Sequence, residues 1–472
     1  MSVLWTARDA KLATGGSGPD GWEATGVAID SRQVQAGDLF IALIGPTHDG
    51  HDHVAAALNA GAAAAMVSRV PDGLASDAPL MVVGDAQAGL EALAQAARAR
   101  FQGKVIALTG SVGKTGSKEM LRLVLSAQGK TAATVGNLNN HIGAPLTLAR
   151  LPQDANYAVL ELGMNHPGEI RLLARLAKPH VALITRIAPA HTEFFSSLDE
   201  VAAAKAEIFE GLLPGGTAIV NADDGFAEAL AKAARLAGAS QVLSFGESGD
   251  ADARLLDLAL APCGSDIEVL LKGRWFAYHV GVAGQHWAMN SLGVLVAAAS
   301  AGADPVQAAE TLTDVRAPAG RGATEALALP QGPITLIDES YNASPAAMRA
   351  AFAVLTAHQP GAGGRRLAVL GDMLELGENA PREHQELGEA LAELPVDQVF
   401  AAGPEMQALV EALRAEQQAG YAADTQALAE QVLPALQSGD VVLVKGSLGI
   451  RMARIMSALR DAAAGAGAPK EQ

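Results

Sequence analysis

One cysteine, Cys263, stands in a chain of 472 residues, so no intramolecular disulfide and no cysteine-rich metal site can form, and a buried apolar thiol is its expected role. Basic residues are also scarce. The 34 Lys and Arg face 51 Asp and Glu, and the formal charge of -17 repels a phosphate backbone and supplies no counterion release. General nucleic-acid binding is disfavoured, yet a few local cations and helix N-termini still suffice to hold a small anionic substrate. Aromatics make up only 4% of the chain, and its 50 Gly and 22 Pro are spread along it rather than gathered in blocks, an ordinary globular composition. No stretch approaches the roughly 18 uncharged apolar residues of a membrane span. Met1 to Lys11 carries charges of both signs and no apolar leader core, so a cytoplasmic protein is expected.

At roughly 100–200 residues per domain the length predicts about three domains. From Gly26 to about Arg100, short β-like runs (Asp38 to Ile44, Ala64 to Val67, Leu80 to Val83) alternate with Ala-rich helical ones. A second block opens with Val105 to Thr109, a buried-strand pattern running into a glycine turn and a helix from Ser117 to Ala127. Strands follow at Ala155 to Leu160, Val181 to Ile184, Thr217 to Val220 and Gln241 to Phe245, and strands separated by helices predict a parallel sheet. Between Leu255 and Val282 the alternation with few helix formers predicts a small antiparallel insertion before a helix from Asn290 to Ala301. After the loop from Ala317 to Gly322, strands at Ile334 to Asp338, Leu367 to Gly371, Val399 to Gly403 and Val441 to Gly446 predict a second doubly wound α/β unit. The expected fold is therefore α/β in three domains, with boundaries at 1–102, 103–316 and 317–472.

The sharpest local signal is Thr109-Gly110-Ser111-Val112-Gly113-Lys114-Thr115, between a buried strand and a helix. Backbone N–H groups there can cradle phosphates, with Lys114 reaching the β/γ-phosphates and Thr115 holding Mg²⁺. The match to G-x-x-x-x-G-K-[ST] is imperfect, because Leu108 occupies the first glycine position. Such a loop fits a kinase, a GTPase, a motor or a ligase equally. Glu161 ends a strand of the same predicted sheet, at the carboxyl edge where open α/β sheets bind ligands, and reads as a Mg²⁺ ligand. His191 and Lys205 read, on spacing alone, as structural or solvated residues, and Asn290 as a helix N-cap. Arg321 is a loop cation on a possible hinge, and Asp338 follows with Ser340, Tyr341 and Asn342 at a strand end, where an Asx-turn or helix cap is the bland alternative.

Together these segments resemble the Mur ligase family, ATP-dependent enzymes of peptidoglycan precursor synthesis. The resemblance runs through Asp30-Ser31-Arg32, Thr109 to Thr115, Asn137-Leu138-Asn139-Asn140-His141-Ile142-Gly143 and Glu161 to Ile170. It continues through the His191 and Lys205 segments, Asp338 to Pro345, Gly371-Asp372-Met373-Leu374-Glu375-Leu376-Gly377 and Lys445-Gly446-Ser447. It implies an N-terminal domain for the UDP end of the substrate, a central P-loop ATPase and a C-terminal Rossmann-like domain. The Asn-Asn-x-Ile-Gly and Gly-Asp-Met-x-Glu-Leu-Gly segments favour the member that joins D-alanyl-D-alanine to UDP-N-acetylmuramoyl-tripeptide through an acyl phosphate.

On that resemblance, Gly110, Ser111, Val112, Gly113, Lys114, Thr115 and Gly116 bind ATP phosphates, Asn290 contacts adenine, Arg321 the γ-phosphate, and Asp338 the ATP side of the C-terminal domain. Thr115, Glu161, His191 and Lys205, the last as a CO₂-derived carbamate, hold two Mg²⁺ ions, and Lys114, Lys205 and His191 serve catalysis. Ser31, Arg32, Asn137, Asn139, Asn140 and Asn342 face the substrates, and a monomer is the default. Four positions depart from the family pattern: Gly116 where Ser or Thr is frequent, Trp287 where Asn follows the histidine, Ser344 in place of Asn, and Leu448 in place of Arg. The alternatives are another ligase of this type, a folylpolyglutamate-like synthetase, or a P-loop protein that hydrolyses ATP without ligating anything.

Overall fold

The computed structural model describes residues 2–189, 195, 197–261 and 264–467, so His191 and Cys263 lie outside the described residues. Three mainly parallel sheets follow one another along the chain. The first has four parallel strands, Gly26–Ala28, Asp38–Ile41, Ala64–Val67 and Leu80–Val82, with helix Ala86–Arg100 packed on it.

The central sheet has nine strands. From one edge they run Thr131–Ala133, Tyr157–Glu161, Lys104–Thr109, Val181–Ile184, Thr217–Asn221, Gln241–Gly246 and Ala253–Ala261, all parallel. Gly264–Leu271 and Arg274–Val280 then extend it as an antiparallel meander, the insertion the alternation predicted. Period-two geometry sends Ile106 and Leu108 to one face, against helices Lys114–Ser126 and Gln285–Ser300, and Val105 and Ala107 to the other, beside helix Glu169–Ala177. Burial on both faces is why the strand reads as an unbroken apolar run. The chain leaves Lys104–Thr109 toward one edge and later returns to its other side, a switch of direction that opens a crevice at these strands' carboxyl ends.

The third sheet has six strands in the order Ala323–Leu329, Gly332–Glu339, Val441–Lys445, Arg366–Gly371, Gln398–Ala402 and Gln418–Ala422, parallel except for the first. Helices cover both faces, Pro345–Ala357 and Ala380–Ala392 on one, Thr425–Ala435 and Ala453–Gly467 on the other.

Some local expectations give way. Asn290 does not cap a helix, because helix Gln285–Ser300 starts five residues earlier behind Gly284 and puts Asn290 in its second turn. Thr131–Ala133, Ala323–Leu329 and Gln418–Ala422 are strands that the sequence pattern did not announce. Ala-Thr-Glu-Ala-Leu-Ala-Leu is rich in helix formers, and its extended form is imposed by full antiparallel pairing with Gly332–Glu339.

Candidate active site

A cleft of about 750 Å³ lies where the carboxyl ends of the central and C-terminal strands meet. Ser111 to Thr115, Glu161, Arg186 and Asn221 line it from one side, and Arg321, Glu339, Tyr341, Asn342 and Lys445 from the other.

The phosphate loop is built by its neighbours. Ser111 N donates to Arg186 O (2.7 Å) and Thr185 Oγ1 to Val112 O (2.6 Å), so the end of the next strand fixes the loop's path. Gly113 takes φ 85°, a left-handed conformation, and a Cβ there would stand 2.6 Å from Asn290 Nδ2. That pair of constraints turns the chain into helix Lys114–Ser126 with its first-turn N–H groups free to meet an anion. Lys114 Nζ curls back onto Gly110 O (2.6 Å) and Ser111 O (3.2 Å). Burial pushes its pKa down, Glu161 acts to raise it and Arg321 to lower it, so all three charges share one field.

Glu161 is the last residue of its strand and 2% exposed. Its Oε1 accepts from Asn139 Nδ2 (2.8 Å) and Thr115 Oγ1 (3.3 Å), whereas its Oε2 is buried with no hydrogen-bond partner. An orphaned carboxylate oxygen is costly unless a cation completes it. Among the described residues no three His, Cys, Asp or Glu gather as a metal cage. Thr115 and Glu161 therefore fit Mg²⁺, which prefers one or two protein oxygens plus phosphates.

Lys205 ends helix Leu198–Ala206 one residue from its C-terminus, lines the cleft and is 1% exposed. Its pKa is driven well below the usual ammonium range, first by burial and then by the charge of Lys114. Burial that disfavours the ammonium form favours an amine able to attack CO₂, and the carboxylate-like adduct would match its cationic surroundings. The donor chemistry fits the carbamate that the resemblance implies.

The Asn-rich loop is only partly free for ligand. Asn140 Oδ1 accepts from Ile142 N (3.1 Å) and Gly143 N (2.9 Å), opening helix Gly143–Ala149, while Asn137 and Asn139 line the cleft. Arg321 sits on loop residues 317–322 with its guanidinium 4.2 Å above the Tyr341 ring, a cation–π contact that aims it at the cleft. Gly110 to Gly116, Asn137, Asn139, Asn140, Asn290, Arg321 and Asn342 are thus brought to one place with Glu161 and Lys205.

Three of the expected residues are not. Ser31 and Arg32 lie on a short 3-10 turn of the first sheet, where Arg32 is exposed and paired with Asp30 through both carboxylate oxygens, and neither lines this cleft. Asp338 is 3% exposed, and its oxygens accept from Ser340 N and Oγ (3.2 and 2.6 Å) and from Arg460 Nη2 (3.3 Å). Strand alternation turns it away, and Glu339 takes the cleft side instead. Glu339 and Lys445 were not singled out individually, although both end parallel strands and pair in register, with Nζ to Oε2 at 3.1 Å. Opposite charges at adjoining carboxyl edges were the available signal. Arg186 was missed as well, because a strand-end arginine has no spacing signature, and Tyr341 was named only as a strand-end neighbour of Asp338, not as a platform for a guanidinium.

The chain matches three family descriptions in turn: Mur ligase family, catalytic domain, at residues 23–100; Mur ligase middle domain at 108–298; and Mur ligase, glutamate ligase domain, at 325–448. It is 36% identical over 440 residues, 92% of this chain and 93% of the other, to the UDP-N-acetylmuramoyl-tripeptide--D-alanyl-D-alanine ligase of Escherichia coli. With the enzyme of that name from Rickettsia prowazekii it shares 31% over 454 residues, 96% of this chain and 99% of that one. The crystal structure of MurF from Acinetobacter baumannii superposes with a TM-score of 0.84 at 33% identity, covering 97% of this chain and 99% of that chain. That of MurF from Thermotoga maritima in complex with ADP gives 0.75 at 27%, over 93% and 98%. A phosphate loop, an orphaned carboxylate and a buried lysine facing a second α/β sheet, with full-length likeness in both sequence and fold, lead to one conclusion: the chain belongs to the Mur ligase family.

Proposed function

We propose that this protein is the ATP-dependent ligase that joins D-alanyl-D-alanine to UDP-N-acetylmuramoyl-tripeptide, with 1–102, 103–316 and 317–472 as its three working units. The observation that carries the reading is the seam itself, where the phosphate loop, Glu161 and Lys205 face Arg321, Asn342 and Lys445 across one cleft. A carboxylate oxygen of the tripeptide attacks the γ-phosphorus of ATP, the bond to the β-phosphate oxygen breaks, and ADP leaves with that electron pair. The dipeptide amine then attacks the acyl carbon, the amide forms, and inorganic phosphate departs as the amine gives up its proton.

The residues here serve the first step by compensating charge. Lys114 and Arg321 both line the cleft within reach of each other's charge, and would offset the negative charge that accumulates as two anions meet. Thr115 and Glu161 would hold Mg²⁺, which when bound supplies Lewis-acid polarisation of the phosphoryl oxygens. Lys205 as its carbamate would offer a second oxygen ligand set, and the resemblance gives His191 a part in the same metal site. Asn290, packed against Gly113 of the phosphate loop, would contact the adenine, and Asn137, Asn139 and Asn140 the UDP-substrate. Ser31 and Arg32 would read its far end from the first sheet.

The test is phosphate release from Mg-ATP and UDP-muramoyl tripeptide with and without D-alanyl-D-alanine, followed by mass analysis of the product. Release that depends on the dipeptide, with a pentapeptide product, is the expected result. Release that ignores the dipeptide would leave an ATPase and remove the substrate assignment.

A further inference from the structure

Helix Gln285–Ser300 places Trp287 in its first turn and Asn290 three residues on in its second, on the same face. They meet two glycines that are also three apart, Gly113 against Asn290 and Gly116 against Trp287. A Cβ at Gly116 would stand 3.0 Å from two carbons of the indole ring, so the ring occupies the space directly behind the phosphate loop's first helical turn. The other end of the same ring reaches the linker to the third sheet. A Cβ at Gly322 would lie 3.8 Å from Trp287 Nε1 and 3.2 Å from Glu339 Oε1.

Trp287 is 3% exposed, lines the cleft, and its Nε1 has no hydrogen-bond partner. A buried N–H without an acceptor is destabilising, which calls for an acceptor in some other state of the molecule. Glu339 uses Oε2 on Lys445, and its Oε1 has no hydrogen-bond partner among the described residues. Donor and acceptor thus flank the same glycine, one on the nucleotide-binding sheet's helix and the other on the C-terminal sheet.

We propose that Trp287 is a positioning residue that couples the two halves of the cleft, its indole N–H donating to the Glu339 carboxylate when the linker at Gly322 advances over bound nucleotide. The ring rests on Gly116, so occupancy of the phosphate loop is felt through a rigid body, and Arg321, next to Gly322, is carried toward the phosphates by the same movement. This deepens the ligase reading and rests on it for the step that the movement serves.

Two readouts test it. Trp287→Phe keeps the ring and removes the donor; dipeptide-dependent turnover is expected to fall about tenfold while ADP affinity stays within about twofold. In protein labelled with ¹⁵N-tryptophan, the indole signal absent from Trp287→Phe is expected to move downfield on adding Mg-ADP, and to stay in place in Glu339→Ala. Loss of ADP affinity with turnover intact would assign the N–H to the nucleotide instead and overturn the proposal. So would an indole signal that ignores Mg-ADP, or that moves equally without the Glu339 carboxylate. The spectral arm needs only Mg-ADP, so it decides the coupling even if D-alanyl-D-alanine proves to be the wrong acceptor, which wild-type product analysis reports separately.

Discussion

The two walls of the cleft are both strand ends of a parallel sheet, yet they treat their charges in opposite ways. On the central wall Glu161 Oε2 and Ser111 Oγ are buried without partners, and burial holds the Lys114 and Lys205 ammonium groups below their usual range. On the C-terminal wall Lys445 is bonded to Glu339 and to Asn342 O, Asp338 to Ser340 and Arg460, and Asp372 to Met406 N. Unpaired buried charge is tolerated only where something arriving later completes it. On the proposed reading, the central wall is the one that receives phosphate and metal, and the C-terminal wall, satisfied at Lys445, Asp338 and Asp372 though not at Glu339 Oε1, is the facing platform.

Lys205→Ala puts the strongest strain on that contrast. It is expected to lower ligation by at least about 10²–10³-fold, with ADP binding retained and no rescue by high bicarbonate, as read by product formation and ADP titration. Near-normal turnover would remove the carbamate and with it the claim that the neutral amine is there to receive a ligand. On the opposite wall Asp338→Asn should act on the scaffold. Losing one charged acceptor is expected to reduce stability by about 1–3 kcal/mol in urea melts, and to change ADP affinity by less than about threefold. If affinity falls and stability does not, Asp338 belongs with the ligand-receiving groups after all.

Much of this contrast was legible before any coordinates. The phosphate loop and Glu161 announce themselves because glycine conformations and strand-end carboxylates follow from local chain geometry, whereas the Asn-rich segment was legible only through family resemblance. Lys205 was legible only through family resemblance: nothing in Ala-Lys-Ala-Glu says that the helix buries that amine next to Lys114, since burial is set by packing between distant segments. Asp338 and Glu339 show the limit most directly. Adjacent acids at a strand end point to opposite faces, and which of them meets the cleft depends on a register that the sequence does not mark. Trp287 and Gly116 each look like an isolated departure in the sequence, and only their contact across 171 positions shows that each accommodates the other.

The smallest effect belongs to the amino end of the central sheet, away from the phosphate loop, where polar groups are again satisfied. His180 Nδ1 accepts from Val105 N (3.0 Å) at the start of the strand that leads into that loop, and burial, with help from Lys104 and Arg98, lowers its pKa from 6.5 to about 4. The folded state therefore favours the neutral ring, and the unfolded chain binds the extra proton between those two values. Stability from this group is fully present above pH 6.5 and is lost as pH falls toward 4. A shift of that size corresponds to about 3 kcal/mol for a fully buried group, and with the ring only half-buried, solvent screening reduces it to about 1 kcal/mol. His180→Gln, which keeps an acceptor for Val105 N and cannot titrate, is expected to lose about 1 kcal/mol less than wild type between pH 7 and pH 4.5 in paired urea melts. Equal losses would mean that the strand start does not depend on a neutral imidazole. The satisfied character assigned to that end of the sheet would then rest on its backbone pairing alone.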